Sequence, residues 1–328
     1  HGAANHDVME GTPEALAAIS RFLATRGVGR YLATTVTAPI DKTLRALEGI
    51  ADAIESPVHG AAIPIGIHLE GPFISHAKRG VHPPADILPP DIALFDRFQQ
   101  AARGHIRLMT IAPEIPGALV LIAHAAKQGV KLSIGHTNAT APEAEAAIAA
   151  GATSATHTFN AMRPIDHRDP GVLATVLDDD RLFAELICDG VHVAPELVRL
   201  WLKAKGPDRA ILVTDSMSAT GMPDGTYTLG TMRVAVANGR AYAAEDEAKG
   251  KFTLAGSVLT LDRAVANLQR FTGATLATAV RLVTHNPATR LGLKSDLAVG
   301  QPANFNVFNA AGQLQSTILR GTVAAAGI

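Results

Sequence analysis

Residues 63–70, with the sequence Ile-Pro-Ile-Gly-Ile-His-Leu-Glu, form a short β-rich run that ends in a carboxylate. Further runs of this kind recur along the chain, and Ala-rich amphipathic stretches separate them. Such alternation predicts repeated βα units around a parallel sheet. The seven predicted strands are Gly29–Thr37, Ile63–Glu70, Ile106–Pro113, Val130–His136, Thr153–His157, Leu182–Asp189 and Arg209–Asp215.

The stretches between the runs include four helix candidates, several of which have proline near the first turn, where its missing N–H costs nothing. A closed barrel of this type has eight βα units, and here the first helix candidate follows His1 with no strand before it. The pattern therefore favours a (β/α)8 TIM-like barrel whose first strand lies upstream of residue 1. A doubly wound open sheet is the alternative. The predicted helices are Thr12–Thr25, Asp91–Arg103, Pro142–Ala150 and Pro195–Lys205.

The alternation of predicted strands and helices ends after Asp215. Residues 221–242 contain turn signals and short alternating segments, and helical patterns return over residues 257–290. Residues 304–325 again alternate as strands, with the turn sequence Ala-Ala-Gly at 310–312. We predict a barrel domain over residues 1–292. Residues 293–328 are predicted to be the C-terminal part of a small β-sandwich formed by both chain termini, with its N-terminal part before His1.

Composition limits the classes of function. The 328 residues carry 29 Lys and Arg against 30 Asp and Glu, so nothing favours binding to nucleic acid or to an anionic membrane. The single cysteine, Cys188, excludes an internal disulfide, which fits a reducing compartment. No run of eighteen apolar residues suggests a spanning helix, and no secretory signal is present. We expect a cytoplasmic enzyme; because residue 1 is not Met, upstream residues are expected to have been removed.

Four chemically competent side chains stand at the ends of predicted strands. They are Glu70, His136, His157 and Asp215. In a closed barrel the strand ends converge on one face, and two imidazoles with a carboxylate leave a coordination position open for water. Considered alone, each histidine could be a hydrogen-bonded residue at the surface or rim of the barrel, and the aspartate could be a helix cap. Their coincidence on four strands favours a catalytic metal site.

Several motifs in fixed order identify a resemblance that covers nearly the whole chain. The sequence resembles the N-acetylglucosamine-6-phosphate deacetylases of the amidohydrolase superfamily, which implies the metal-dependent hydrolase type of barrel and removal of an acetyl group. His1-Gly2, residues 254–257 and residues 286–288 match as well. The main motifs are His-Leu-Glu-Gly-Pro-Phe (68–73), Gly-His-Thr (135–137), Thr-His-Thr-Phe-Asn-Ala-Met (156–162), Asp-Gly-Val-His (189–192) and Thr-Asp-Ser-Met-Ser-Ala-Thr-Gly (214–221).

The resemblance implies a role for each residue of the centre. Glu70, His136 and His157 bind the catalytic metal, and Asp215 acts as general base and then as general acid. His82 contacts the carbonyl oxygen as a second catalytic residue. Its alternative role is to brace a proline-rich turn.

The resemblance also implies a substrate-binding set. Arg168 would bind the phosphate, although a surface ion pair with Asp169 is the alternative. Asn160 could equally be a turn residue and Gly256 a turn glycine. The whole set is Val81, His82, Asn160, Ala161, Arg168, His192, Leu254, Ala255 and Gly256.

Cofactor and assembly follow from the same resemblance. Zinc is the first choice of divalent metal, with iron, manganese or cobalt as alternatives, and one or two ions per subunit. His1 stands where a ligand to a second metal would fall. A homodimer is expected, because in the family the phosphate arginine can come from the neighbouring subunit. The sequence Pro-Ala-Asn-Phe at 302–305 departs from the usual acidic pattern and bears only on the small domain.

Three rival functions stay open at this point. An N-acetylgalactosamine-6-phosphate deacetylase would act on a substrate that differs at one hydroxyl. Another amidohydrolase, such as a cyclic amidase or deaminase, would not need Arg168 or the Phe-Asn-Ala-Met loop. A silent sugar-phosphate-binding protein would be expected to lose Asp215 or a metal ligand, and all are present.

Overall fold

The computed structural model describes residues 1–247, 250 and 252–326. Its main feature is a curled sheet of seven parallel strands that hydrogen-bond in sequence order. Each of the seven predicted strands corresponds to one of them, so the predicted βα repeat is confirmed. The strands are β1 Gly2–Ala3, β2 His6–Asp7, β3 Arg30–Thr35, β4 Ile63–Glu70, β5 Ile106–Ile111, β6 Lys131–Ile134, β7 Ala152–Ala155, β8 Phe183–Ile187, β9 Ala210–Val213, β10 Gly225–Leu229, β11 Met232–Ala237, β12 Arg240–Ala243, β13 Phe305–Phe308, β14 Leu314–Leu319 and β15 Thr322–Ala326.

Helices connect the strands of this sheet and pack against them. Local sequence sets where they begin: the Thr12 hydroxyl accepts the Ala15 N–H at the start of α1, and Thr140 and Glu143 form a capping box at α5. The four predicted helices are confirmed, and the predicted end at Lys205 coincides with a kink at Gly206 inside α7. The helices are α1 Pro13–Ala24, α2 Ile40–Glu55, α3 Ile92–Ala101, α4 Ala118–Lys127, α5 Ala141–Ala150, α6 Gly171–Asp178, α7 Pro195–Arg209, α8 Ala244–Glu247, α9 Leu261–Thr272, α10 Leu276–Val283 and α11 His285–Arg290.

The sheet and its helices share one apolar core. All five residues of β8 are buried, as expected for a parallel strand covered on both faces. Large side chains from the helices, among them Leu47, Phe95 and Trp201, pack fully buried into the same core. None of the helices in the described residues combines the length and apolar character that crossing a bilayer requires.

β3 and β9 form the two edges of the curled sheet, and within the described residues no further strand joins them. A cavity of about 640 Å³ is lined by residues of both edges and of the C-terminal sheet. The chain start is held beside β9, because Gly2 donates to the carbonyl of Ser216 and Asn5 to that of Ser218. His1 is thereby fixed next to the end of β9. The strand expected before residue 1 stays a prediction.

Two three-stranded antiparallel sheets and the antiparallel pair β1–β2 complete the fold. β10, β11 and β12 form one, and β13, β14 and β15 form the other, as the alternating segments near the C-terminus predicted. The predicted turn at 310–312 lies between β13 and β14. Residues 327 and 328 of the predicted small domain lie outside the described residues. The division at residue 292 stays a prediction.

We expect Gly49→Ala to destabilise the protein. Alanine normally stabilises a helix interior by about 1 kcal/mol relative to glycine. Here an added Cβ would lie 1.8 Å from the backbone oxygen of Gly11, so α2 would have to move away from the chain before α1. A net loss of roughly 1–3 kcal/mol follows from such overpacking. Urea unfolding measures it, with Gly225→Ala as the control, because that methyl would contact only the Tyr227 side chain at 3.4 Å. Equal stability of the two variants would contradict the expectation.

Candidate metal centre and active site

Three side chains from different strand ends meet at one point. Oε1 of Glu70 lies 3.1 Å from Nε2 of His136 and 3.1 Å from Nε2 of His157. The two imidazole Nε2 atoms are themselves 3.1 Å apart, and all three side chains are buried. The structure thus brings together three of the four residues predicted at the strand ends.

Asp215 and His1 complete this cluster. Nε2 of His1 lies 3.2 Å from Oδ1 of Asp215 and 3.4 Å from Oε2 of Glu70. The Nδ1 atom of His1 is 3.1 Å from the carbonyl oxygen of Thr34, so Nδ1–H donates there and Nε2 faces the carboxylates. All four strand-end residues and His1 therefore belong to one centre.

The backbone at this centre lies in an unfavourable region. His136, His157 and Asp215 have φ values of 47°, 29° and 51°, in the left-handed range. For residues other than glycine this conformation costs about 1–2 kcal/mol each. Such strain persists only where the surrounding structure imposes it, and it concentrates at functional sites. Its coincidence on three of the four strand-end residues supports a functional role for them.

Burial and charge act in opposite directions on the ionisable groups. Burial alone would raise the pKa of Glu70, but hydrogen bonds with His1, His136 and His157 hold this pKa well below its ordinary value. Burial also opposes ionisation of Asp215, yet its hydrogen bond with His1 lowers the pKa. For His157, burial lowers the pKa while the Glu70 carboxylate raises it, to about 9. The buried carboxylates thus require positive charge, which a divalent cation can supply in place of protons.

The donor set fits a divalent metal ion. With metal–ligand bonds of about 2.0–2.1 Å, the ligand atoms of a tetrahedral site lie about 3.3 Å apart. This is close to the 3.1 Å between each pair of donor atoms from Glu70, His136 and His157. His136 Nδ1 donates to the Lys78 carbonyl oxygen at 2.9 Å, which leaves its Nε2 lone pair free to bind a metal.

His82 lies beside this cluster rather than on a surface turn. It is buried, and its ring packs edge-on against His136 with 4.6 Å between ring centroids. Nδ1 of His82 is hydrogen-bonded to the Thr37 hydroxyl at 2.7 Å. Burial and the neighbouring His136 hold the pKa of His82 well below its ordinary value, so the ring is neutral. Next to it, Val81 packs against the apolar cluster under the β10–β12 sheet.

Two other predicted substrate-binding residues, Asn160 and Ala161, lie three and four positions after His157. Asn160 donates from its side chain to the carbonyl of His157, and Ala161 accepts a bond from the Thr137 N–H. His192 is oriented by Asp189, whose carboxylate accepts from His192 Nδ1 at 2.6 Å.

Residues 254–257 run alongside the strand end that carries Asp215. Ser257 N–H donates to the carbonyl of Asp215 at 2.8 Å, and Met217 N–H donates to the carbonyl of Ser257. A Cβ on Gly256 would lie 3.2 Å from the same Asp215 oxygen, at a φ of 61°. The predicted residues Leu254, Ala255 and Gly256 therefore lie next to the centre.

Arg168 is exposed, on the loop between β7 and α6. Its backbone N–H donates to Asp166, and the carboxylate of Asp169 pairs with Arg163 instead. The alternative ion pair between Arg168 and Asp169 is therefore not the one that forms. The phosphate role of Arg168 stays a prediction.

Sequence reasoning missed several residues that support the site. Thr37 contacts His82 from 45 positions away. Glu114 accepts from the Thr137 hydroxyl at 2.5 Å and from the Asn138 N–H at 2.6 Å, and so holds the loop after His136. No local sequence pattern signals either contact, because both join distant segments.

The chain is similar to proteins of known family. The amidohydrolase family matches residues 9–324. A Bacillus subtilis protein named N-acetylglucosamine-6-phosphate deacetylase is 36% identical over 330 residues, which cover 99% of this chain and 82% of that protein. The Escherichia coli O157:H7 N-acetylgalactosamine-6-phosphate deacetylase is 37% identical, over 92% of this chain and 78% of its own length. A solved structure of N-acetyl-D-glucosamine-6-phosphate deacetylase from Mycobacterium smegmatis is also similar to this chain; it is an aspartate-to-alanine variant in complex with N-acetyl-D-glucosamine 6-phosphate. Its TM-score is 0.94 at 37% sequence identity, and the match covers 99% of this chain and 84% of that chain.

Proposed function

The chain belongs to the amidohydrolase family, and we propose that it removes the acetyl group from N-acetyl-D-glucosamine 6-phosphate. The products are D-glucosamine 6-phosphate and acetate. The observation that carries the proposal is the convergence of Glu70, His136, His157 and Asp215 at the carboxyl ends of one sheet. The similar proteins named as deacetylases of this substrate support the choice of reaction.

Glu70, His136 and His157 are the residues that would hold the catalytic ion. When bound, a divalent ion lowers the pKa of water and polarises a carbonyl group. Zinc is our first choice, and iron, manganese and cobalt suit the same nitrogen and oxygen ligands. His1, with its Nε2 near Glu70 and Asp215, would serve a second ion.

Asp215 would move the proton. Its carboxylate is ionised because the hydrogen bond with His1 lowers its pKa against the effect of burial. It would accept a proton as the water oxygen attacks the acetamide carbon. It would then deliver that proton to the nitrogen as the carbon–nitrogen bond breaks.

His82 would stabilise the developing oxyanion. The ring is neutral, and Nδ1 is hydrogen-bonded to the Thr37 hydroxyl. If Thr37 donates, the remaining proton sits on Nε2, where it can donate to the acetyl oxygen. Thr37 would thus choose the tautomer that catalysis needs.

The phosphate would be bound by Asn160, the Ala161 backbone, His192 and an Arg168 from a neighbouring subunit. We propose a homodimer on this basis, acting in the cytoplasm on a small amino-sugar phosphate. Val81, Leu254, Ala255 and Gly256 would line the acetyl side of the pocket.

Arg168→Ala should raise KM for the phosphorylated sugar by roughly 10- to 100-fold, the effect of losing a charged hydrogen bond worth about 1.5–3 kcal/mol. Because the phosphate is remote from the reacting bond, kcat should change little. Steady-state kinetics measure both constants, and Arg181→Ala, which removes an exposed arginine paired with Asp179, is the control. An unchanged KM would remove Arg168 from the phosphate site.

The N-acetylgalactosamine 6-phosphate epimer is a second candidate substrate, favoured by the similarity to the E. coli protein of that name. Comparing kcat/KM for the two sugars decides between them. The larger value identifies the substrate.

The test of the proposed function is acetate release by metal-loaded protein from both phosphorylated epimers and from unphosphorylated N-acetylglucosamine. Release from N-acetylglucosamine 6-phosphate, with much less from the unphosphorylated sugar, is the expected result. If folded, metal-replete protein releases acetate from none of them, the deacetylase function is wrong.

A further inference from the structure

A group of buried polar side chains lies on neighbouring strands of the curled sheet. Barrel interiors of this type are mostly filled by Val, Ile and Leu. Here Thr110 on β5 and Ser133 on β6 are fully buried, and His68 on β4 is 6% exposed. Because side chains alternate along a strand, His68 points to the same face as Glu70. We name this group the polar layer; it consists of Thr34, His68, Thr110, Ser133 and Thr156.

The polar layer is one continuous chain of hydrogen bonds. His68 Nδ1 lies 3.3 Å from the Thr34 hydroxyl, and His68 Nε2 lies 2.7 Å from the Thr110 hydroxyl. The Thr110 and Thr156 hydroxyls are 2.8 Å apart, and Thr156 donates to Ser133 at 2.7 Å. Both ring nitrogens of His68 are therefore engaged by hydroxyl groups, and neither is free to bind a metal.

The donors and acceptors fix one direction along this chain. Each hydroxyl has a single proton to donate. Because Thr156 donates to Ser133, Thr110 donates to Thr156 and must accept from His68 Nε2–H. The Nδ1 atom of a neutral imidazole then faces the Thr34 hydroxyl, which also lies 3.5 Å from the Leu32 carbonyl oxygen. His68 therefore links Thr34 on β3 to Thr110 on β5 through the two nitrogens of one rigid ring.

Two members of this chain, Thr34 and Thr156, adjoin the metal centre. Thr34 accepts the Nδ1–H of His1 with its carbonyl oxygen at 3.1 Å. Thr156 immediately precedes His157, whose backbone is held at a φ of 29°. A change in the polar layer would therefore move His1 and His157 relative to Glu70.

We propose that His68 is a positioning residue for the metal centre, which holds Glu70, His157 and, through the Thr34 backbone, His1 in place by its bonds to Thr34 and Thr110. The proposal rests on the metal centre of the proposed function. Groups that orient metal ligands commonly change metal affinity by 10- to 100-fold when they are removed. His68 acts on the ligands through the strands rather than by touching substrate.

The test uses the full chain freed of metal and two variants that break the same hydrogen bond. His68→Leu removes the ring, and Thr110→Val removes the hydroxyl while leaving the side-chain volume nearly unchanged. Zn²⁺ affinity is measured by competition with a chromophoric chelator, and thermal unfolding of the metal-free protein is measured beside it. Ser20→Ala is the matched control, because it breaks a buried hydroxyl pair with Tyr31 that has no contact with the polar layer.

We expect both variants to bind Zn²⁺ roughly 10- to 100-fold more weakly than the unmodified chain, while Ser20→Ala changes only the unfolding temperature. His68→Gln, which can again donate toward Thr110, should recover most of the affinity. The double variant should lose less affinity than the two single losses added together, because both single variants lose the bond between His68 and Thr110.

Unchanged Zn²⁺ affinity in Thr110→Val and His68→Leu, with only a lower unfolding temperature, would overturn the proposal and leave His68 a stabilising core residue. If His68→Leu does not fold, Thr110→Val and His68→Gln decide alone. Failure of the proposed function is separate: a chain that binds Zn²⁺ but releases no acetate is not a deacetylase, and its Zn²⁺ affinities still report on His68.

Discussion

Asp215→Asn should lower kcat by about 10²- to 10⁴-fold, the usual contribution of a positioned acid–base group. The amide keeps the shape of the side chain but can neither take a proton from water nor return one to the leaving nitrogen. The loss corresponds to roughly 3–5 kcal/mol of transition-state stabilisation. Because Glu70, His136 and His157 are untouched, the variant should still hold one ion and should bind the substrate with an affinity near that of the unmodified chain.

Three measurements separate this role from a structural one: acetate release in single-turnover and steady-state assays, metal content, and substrate affinity by calorimetry. Asp179→Asn is the control, since Asp179 is a carboxylate that pairs with Arg181 on the surface. A metal-replete Asp215→Asn protein with kcat within about tenfold of the unmodified value would show that another group moves the proton.

The sequence predicted the strands of the central sheet because their physical basis is local. A parallel strand covered on both faces is mostly apolar, and four of the five residues of β8 are apolar, the exception being Glu185, which pairs with the buried Arg290. The residues at the strand ends were predicted for the same reason, since a polar side chain directly after an apolar run has a defined place in the barrel. Helix starts followed from threonine caps and prolines, as at Thr12 and Pro13.

The supporting contacts could not be predicted because they depend on distant parts of the chain. Local preference would place glycine where His136 and His157 have positive φ, so the strain at these residues gives no sequence signal. His68 looks like part of a motif, yet its partners Thr34 and Thr110 lie 34 and 42 positions away. Only the register of neighbouring strands brings these side chains together.

The partners of the charged residues in the loop around Arg168 could not be predicted from the sequence either. An arginine beside an aspartate in sequence suggests a pair, but Asp169 bonds to Arg163, six positions earlier. The Asp166 carboxylate accepts the backbone N–H of both Arg168 and Asp169 in the turn between them. Which arginine is free for a ligand is therefore a property of the folded loop.

Glu70→Gln should weaken Zn²⁺ binding by at least ~100-fold, beyond what outer groups of a metal site contribute, and should abolish measurable acetate release at limiting metal. The Glu70 carboxylate contacts three histidines, His136, His157 and His1. The amide is nearly the same size but carries no charge, so it cannot balance a divalent ion in a buried site.

Glu143→Gln is the control for this change, because glutamine also forms the capping box with Thr140 that Glu143 makes at α5. It should leave Zn²⁺ affinity and acetate release unchanged.

Excess metal separates two causes of lost activity in Glu70→Gln. If saturating Zn²⁺ restores kcat, Glu70 contributes affinity alone. If kcat stays low with Zn²⁺ bound, the carboxylate also adjusts the net charge of the site and thereby the acidity that a water molecule would have there. Zn²⁺ binding equal to that of the unmodified chain would remove Glu70 from the ligand set and, with it, the proposed metal centre.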